Sequence, residues 1–227
     1  MNYRVINYIV SILVIPIIII LWVIVFKAQK PAMICILIAV LSCVPFFISF
    51  EKNNTANASR QIVLVASITA LCVASRIAFV AIPGFKPVTA IVVVASLYLG
   101  SQSGFMIGAL TAFLSNFYFG QGVWTPMQMF SWGICGLFAG IFSKHLLKHK
   151  TLLLIYGAFC GVLFSLLMDI WSVLWIDNAF NLTRYLAMVA SSTPSMITYV
   201  VSNLIFILII EKPFGIIMKR IKGKYGL

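Results

Sequence analysis

LLLIYGAFCGVLFSLLMDIWSVLW, residues 152–175, holds a single charged side chain, Asp169. A helix needs about 20 apolar residues to cross hydrocarbon, and this run exceeds that length. In lipid a backbone must satisfy its own hydrogen bonds, so an uninterrupted run of this kind folds as a helix. Similar blocks fill the chain on both sides. Upstream lie Val5–Phe26, Ala32–Phe50, Gln61–Ile82, Val88–Leu99, Gly104–Phe119 and Met127–Phe142, and downstream lies Tyr185–Ile210. The block after Pro87 reaches spanning length only with Gly100–Ser103 added. Eight spans are expected, and the fold class is an all-α integral membrane protein.

Composition agrees. The 227 residues are 63% hydrophobic and 9% charged, which leaves too little polar surface for a soluble domain of this size. The most hydrophilic stretch, EKNNTANASR at 51–60, is a linker that divides the chain into an N-terminal pair of spans (1–50) and a six-span part (61–210). A basic tail closes the chain at 211–227. The first block reads as a span rather than a signal peptide, because its apolar core is long and no small-residue cleavage site follows.

The formal charge of +12 does not call for nucleic acid, because the bases sit at the ends of apolar blocks. With the tail placed inside, eleven of the sixteen basic residues fall on the cytoplasmic side, Arg76 lies within a span, and Lys27, Lys30, Lys86 and Arg184 lie outside. Both termini are therefore expected in the cytoplasm of a multi-pass plasma-membrane protein. That orientation gathers Pro83–Pro87, Gly120–Pro126 and Ile176–Arg184 on the outer face. The five cysteines lie inside apolar blocks without CxxC spacing and read as buried thiols.

Catalysis finds little support. The acids are Glu51, Asp169, Asp177 and Glu211, and no GxSxG, HExxH or phosphate-binding glycine loop occurs. His145 and His149 are four apart, but no third ligand accompanies them, so no metal is expected. A chain without an ATP site drives ATP-powered transport only through partner subunits.

Binding chemistry is easier to find. Arg76 is the one base inside a span, and a charge at that depth must pair or reach water. Asp169 is its candidate partner, or else a substrate contact. The densest polar and aromatic group is Asn116, Gln121, Trp124, Thr125, Gln128 and Trp132, in SNFYFGQGVWTPMQMFSWG. Gln128 and Trp132 share one helix face at i and i+4. Aromatic walls with a few amides suit a flat, polar-edged ligand better than an interfacial belt alone. Phe85, Lys86, Trp171, Trp175, Asn178, Asn181 and Tyr185 are further outer-half candidates. Ala66, Ala70, Ala74 and Ala78 recur every fourth residue and flatten one face of the third span, for another helix to approach. Gly104/Gly108, Gly136/Gly140 and Gly157/Gly161 have the same spacing and read as internal packing sites.

The stretch from Arg76 to Gly140, with GFKPVTAIVVV and then SGFMIGALTAFLSNFYFGQGVWTPMQMFSWGICGLFAG, resembles the substrate-binding S components of energy-coupling factor (ECF) vitamin transporters, most of all the cobalamin-type ones. With the alanine face included, the resemblance extends over Gln61 to about Ile210. It implies a six-helix S-component core that binds a vitamin at the outer face, here preceded by two additional transmembrane helices. It also implies docking on a coupling transmembrane subunit and two ATPase subunits, with Ala66, Ala70 and Ala74 as the contact face. The implied ligand is a vitamin, with a cobalamin-type corrinoid first, and no intrinsic cofactor is implied. Substrate contacts are then expected from Arg76, Phe85, Lys86, Asn116, Gln121, Trp124, Gln128, Trp132, Asp169 and Trp171. The alternatives are an S component for another vitamin or precursor, a self-sufficient secondary transporter with Asp169 as its ion site, and an intramembrane enzyme.

Overall fold

The computed structural model describes residues 55–225, and these form seven helices without a strand. The helices are α1 (Thr55–Ala78), α2 (Val88–Leu99), α3 (Ser101–Phe119), α4 (Thr125–Ile141), α5 (Ser143–Lys148), α6 (Lys150–Asp177) and α7 (Leu182–Tyr225). The two expected N-terminal spans, Cys35 and Cys43 lie outside the described residues. Six of the helices coincide with the six-span part read from the sequence, and α5 is a single extra turn-like helix between α4 and α6. Three helices are long and apolar enough to cross a membrane: Ser59–Ala78, Lys150–Asp177 and Leu182–Ile221.

Two boundaries differ most from the sequence reading. Helix α1 begins at Thr55, inside the polar linker. Helix α7 runs through most of the basic tail as one helix of 44 residues, with Pro194 and Pro213 in its interior. The tail stays helical because it docks. Met218 is buried in the main core, and the Phe214 ring packs 6.5 Å from that of Tyr98 on α2.

Helix α2 is the centre of the bundle. It has only twelve residues, VTAIVVVASLYL, and is buried from Val88 to Leu97. A β-branched run is a modest helix former in water, but a fully apolar environment leaves it no other way to satisfy its backbone. All six other helices pack around it. Gly100, at φ 87°, makes the tight link from α2 to α3, in a region of backbone space that favours glycine.

The closest helix contact is between α3 and α4, which run antiparallel. A Cβ added to Gly104 would lie 2.6 Å from the Gly136 carbonyl oxygen, and one added to Gly108 would lie 2.4 Å from that of Trp132. Small residues here let two backbones touch, which is the packing mode that lipid-embedded helices favour. Asn203 of α7 donates a hydrogen bond from Nδ2 to the Gly157 carbonyl of α6 at 2.9 Å, so the spacing at Gly157 and Gly161 serves the α6–α7 pair.

These pairings bring the α1–α2 turn (79–87) and the α3–α4 turn (120–124) to one end of the bundle. Lys86 from the first lies over the Phe119 ring at the edge of the second. The Trp171 indole of α6 donates to the Val123 carbonyl at 2.9 Å and ties that turn to α6. The α6–α7 turn is held by its own ion pair, Arg184 Nε to Asp177 Oδ2 at 2.7 Å.

Candidate functional site

Below the two tied turns, a cleft of about 450 Å³, its open mouth included, is lined by residues of α1, α2, α4, α6, α7 and the first turn. Arg76 comes from the last turns of α1 and Lys86 from the 79–87 segment. Val88 and Thr89 open α2. Gln128 and Trp132 lie four apart on α4, and Tyr199 and Asn203 four apart on α7. Gly161 and Phe164 complete the wall from α6.

One wall is aromatic. The Trp132 and Phe164 rings stack with centroids 5.2 Å apart at 14°, and Tyr199 meets Phe164 edge-on at 5.4 Å. Offset stacks of this kind hold a rigid flat surface. The part of the cleft that adjoins this wall is cationic. The Arg76 guanidinium lies 4.4 Å from the centroid of Phe119 and 5.1 Å from that of Trp132, and Lys86 Nζ lies 4.8 Å from that of Phe119. Burial, and after it the Arg76 charge, hold the Lys86 ammonium below the ordinary lysine range.

Behind these groups a buried polar relay fixes their positions. Arg76 donates through Nη1 to Ser115 Oγ and to Asn116 Oδ1, the latter at 2.8 Å. Asn116 Nδ2 in turn donates to Thr125 Oγ1 at 2.8 Å and to Gln128 Oε1 at 2.9 Å. Thr125 Oγ1 donates to Gln121 Oε1 at 3.0 Å, and Gln121 Nε2 donates to the Phe113 carbonyl at 2.8 Å. The run SNFYFGQGVWTPMQ is therefore a hydrogen-bonded corner. It fastens α1, α3 and α4 together and leaves Gln128 Nε2 for the cleft.

Of the ten residues expected from the sequence, Arg76, Lys86, Gln128 and Trp132 meet in the cleft, and Asn116 stands directly behind two of them. The other five do not line it. Phe85 packs in a ring cluster with Phe79 and Phe206. Gln121 is spent on the corner. Trp124 is 43% exposed, its ring lying against Gly122. Trp171 uses its indole N–H to anchor the turn. Asp169 is not the partner of Arg76: its Oδ2 accepts from Ser192 Oγ at 2.6 Å, joining α6 to α7. The ion pair that the sequence suggested is absent because Asp169 lies on the α6–α7 seam.

Thr89, Phe164, Tyr199 and Asn203 escaped the sequence reading. A signal for two of them was present, since Tyr199 and Asn203 are polar side chains at helical spacing inside an apolar span. Phe164 carried none, being one phenylalanine among 18. Among the described residues no group of three His, Cys, Asp or Glu side chains could hold a metal ion. The described cysteines, Cys72, Cys135 and Cys160, are free and buried.

Ala66, Ala70, Ala74 and Ala78 are exposed along one side of α1, while Val65, Ile68 and Cys72 on the opposite side enter the core. A family model described as "ECF-type riboflavin transporter, S component" matches residues 56–220. No curated protein and no solved structure matches the chain.

Proposed function

Because the chain belongs to the S components of ECF-type riboflavin transporters, we propose that it captures a vitamin with a flat, flavin-sized ring in the cleft between α1, α4, α6 and α7. The observation that carries this reading is the stacked Trp132–Phe164 wall with the amides of Gln128 and Asn203 beside it, inside the matched region. An aromatic ring slides against such a wall, and the amides read its polar edge. The family's description favours a flavin over the cobalamin-type cargo to which the sequence pointed.

The family is one of transport subunits, so this chain acts by binding and release rather than by bond-making. In the proposed cycle the cleft end faces outward, and the exposed alanines of α1 meet a coupling transmembrane subunit that two ATPases drive. Alanine at positions 66, 70 and 74 allows a foreign helix to approach closely, and their exposure leaves that face available.

The test is a panel of riboflavin, cyanocobalamin and thiamine on the purified chain, read by thermal unfolding. A ligand at 100 times its Kd stabilises by about 2.7 kcal/mol. Riboflavin is expected to give the shift. A shift with cyanocobalamin alone would reinstate the corrinoid, and no shift with any vitamin would remove the binding role of the cleft.

A further inference from the structure

We infer that the ligand of this cleft carries an anionic group, a phosphate ester or a carboxylate, received between Arg76 and Lys86. The inference rests on reading the cleft as the binding site and narrows its substrate class.

The argument starts from charge. Arg76 is only 7% exposed, and its hydrogen-bond partners, Ser115 and Asn116, are both neutral. Its Nε is buried and has no hydrogen-bond partner among the described residues. Lys86 shares the Phe119 ring with it, so two cations stand on one side of the same cleft. None of the acids among the described residues answers them. Asp177 pairs with Arg184, Asp169 is bonded to Ser192, and Glu211 lies near Tyr98 at the other end of α2. Aromatic faces offset part of a buried positive charge, but a guanidinium sequestered without a counter-ion remains costly.

Hydrogen-bond polarity points the same way. Gln128 has its oxygen occupied by Asn116, so the group it turns to the cleft is the donor Nε2. Arg76 and Lys86 line the same cleft as Gln128, so two charged donor groups stand beside its amide. Such a set matches an oxygen-rich anion, and an arginine fork is the geometry that phosphate and carboxylate select. A neutral flavin leaves both cations unopposed and therefore binds more weakly than its phosphate ester.

The experiment compares charged and neutral forms of the same ring. Riboflavin and riboflavin 5′-phosphate are titrated into the purified full-length chain, and nicotinate with nicotinamide forms a carboxylate pair. The expected result is preference for the anionic member of a pair by about tenfold or more, the order that a charge-assisted contact supplies. Lys86→Met should pull that ratio toward one, and Lys86→Arg should keep it. Because Lys86 lies in a turn and is partly exposed, both variants are expected to elute as the folded chain.

Equal or tighter binding of the neutral members overturns the inference while leaving the site standing. A preference undiminished in Lys86→Met overturns it as well, since the charge then acts elsewhere. If neither flavin binds, the flavin reading fails, and the nicotinate pair decides the charge. Binding by no anionic member of either pair overturns the inference outright.

Discussion

Arg76 of α1 and Asn116 of α3 are joined by a 2.8 Å hydrogen bond between Nη1 and Oδ1, both side chains being buried. Through its other amide atom Asn116 also holds Gln128, so one asparagine positions two of the groups that line the cleft. Arg76 is thereby held in place as one of the residues that line the cleft.

Removing that asparagine should therefore harm both fold and site. Asn116→Ala strands donors on Arg76 and acceptors on Thr125 and Gln128. An orphaned buried polar group costs about 1–3 kcal/mol. A drop in thermal midpoint together with weakened ligand binding is expected, and an unchanged melting curve would show that the relay carries no stability.

Gln128 and Trp124 separate the cleft from its rim. A hydrogen bond contributes about 0.5–1.5 kcal/mol net, so Gln128→Ala should weaken ligand binding by up to about tenfold. Trp124 is largely outside, and Trp124→Ala should change affinity by less than about twofold. Titration of both variants checks the pair, and the reverse order would move the site toward the 120–124 turn.

The α3–α4 crossing is sensitive to one methyl group. Gly104→Ala places a Cβ against the Gly136 carbonyl at 2.6 Å, a distance that real contacts do not adopt. Overpacking of this kind costs about 1–3 kcal/mol. A lowered thermal midpoint is expected for Gly104→Ala, while Gly223→Ala, in open space on the C-terminal turn of α7, should be silent.

The exposed alanine side of α1 offers a test of assembly apart from binding. Ala70→Phe should leave the affinity of the isolated chain unchanged and abolish uptake in cells that supply the coupling subunit and ATPases. Co-purification of those partners measures the contact directly, and undiminished recovery with the variant would place the docking face elsewhere.

Lys86 gives a pH signature. Burial and the facing Arg76 of α1 lower its ionisation, with Tyr199 of α7 as the other titratable group lining the cleft. Because the folded value lies below the unfolded one, folding releases a proton from Lys86. Its contribution to stability therefore improves as pH rises through the folded value. Anion binding has the opposite sign and should weaken over the same alkaline interval. Titrations at neutral and alkaline pH read the second effect, and Lys86→Met should remove it.

The sequence alone determined that this chain is helical and lives in a membrane, because apolar length and backbone satisfaction in lipid depend only on local composition. The helices of the 61–210 part were legible for the same reason, and Arg76 and the polar run SNFYFGQGVWTPMQMFSWG stood out because a polar side chain inside an apolar block is visible without a fold. Which polar groups face one another was not legible. Asp169 and Arg76 looked like partners in a list of buried charges, yet helix rotation sets Asp169 toward Ser192 on α7 and Arg76 toward Asn116 on α3. Trp124 and Trp132 looked alike in sequence, and only the turn at 120–124 sends one out and the other into the stack with Phe164. Facing across a cleft is a property of packed pairs of helices, and the spacing within any single helix does not contain it.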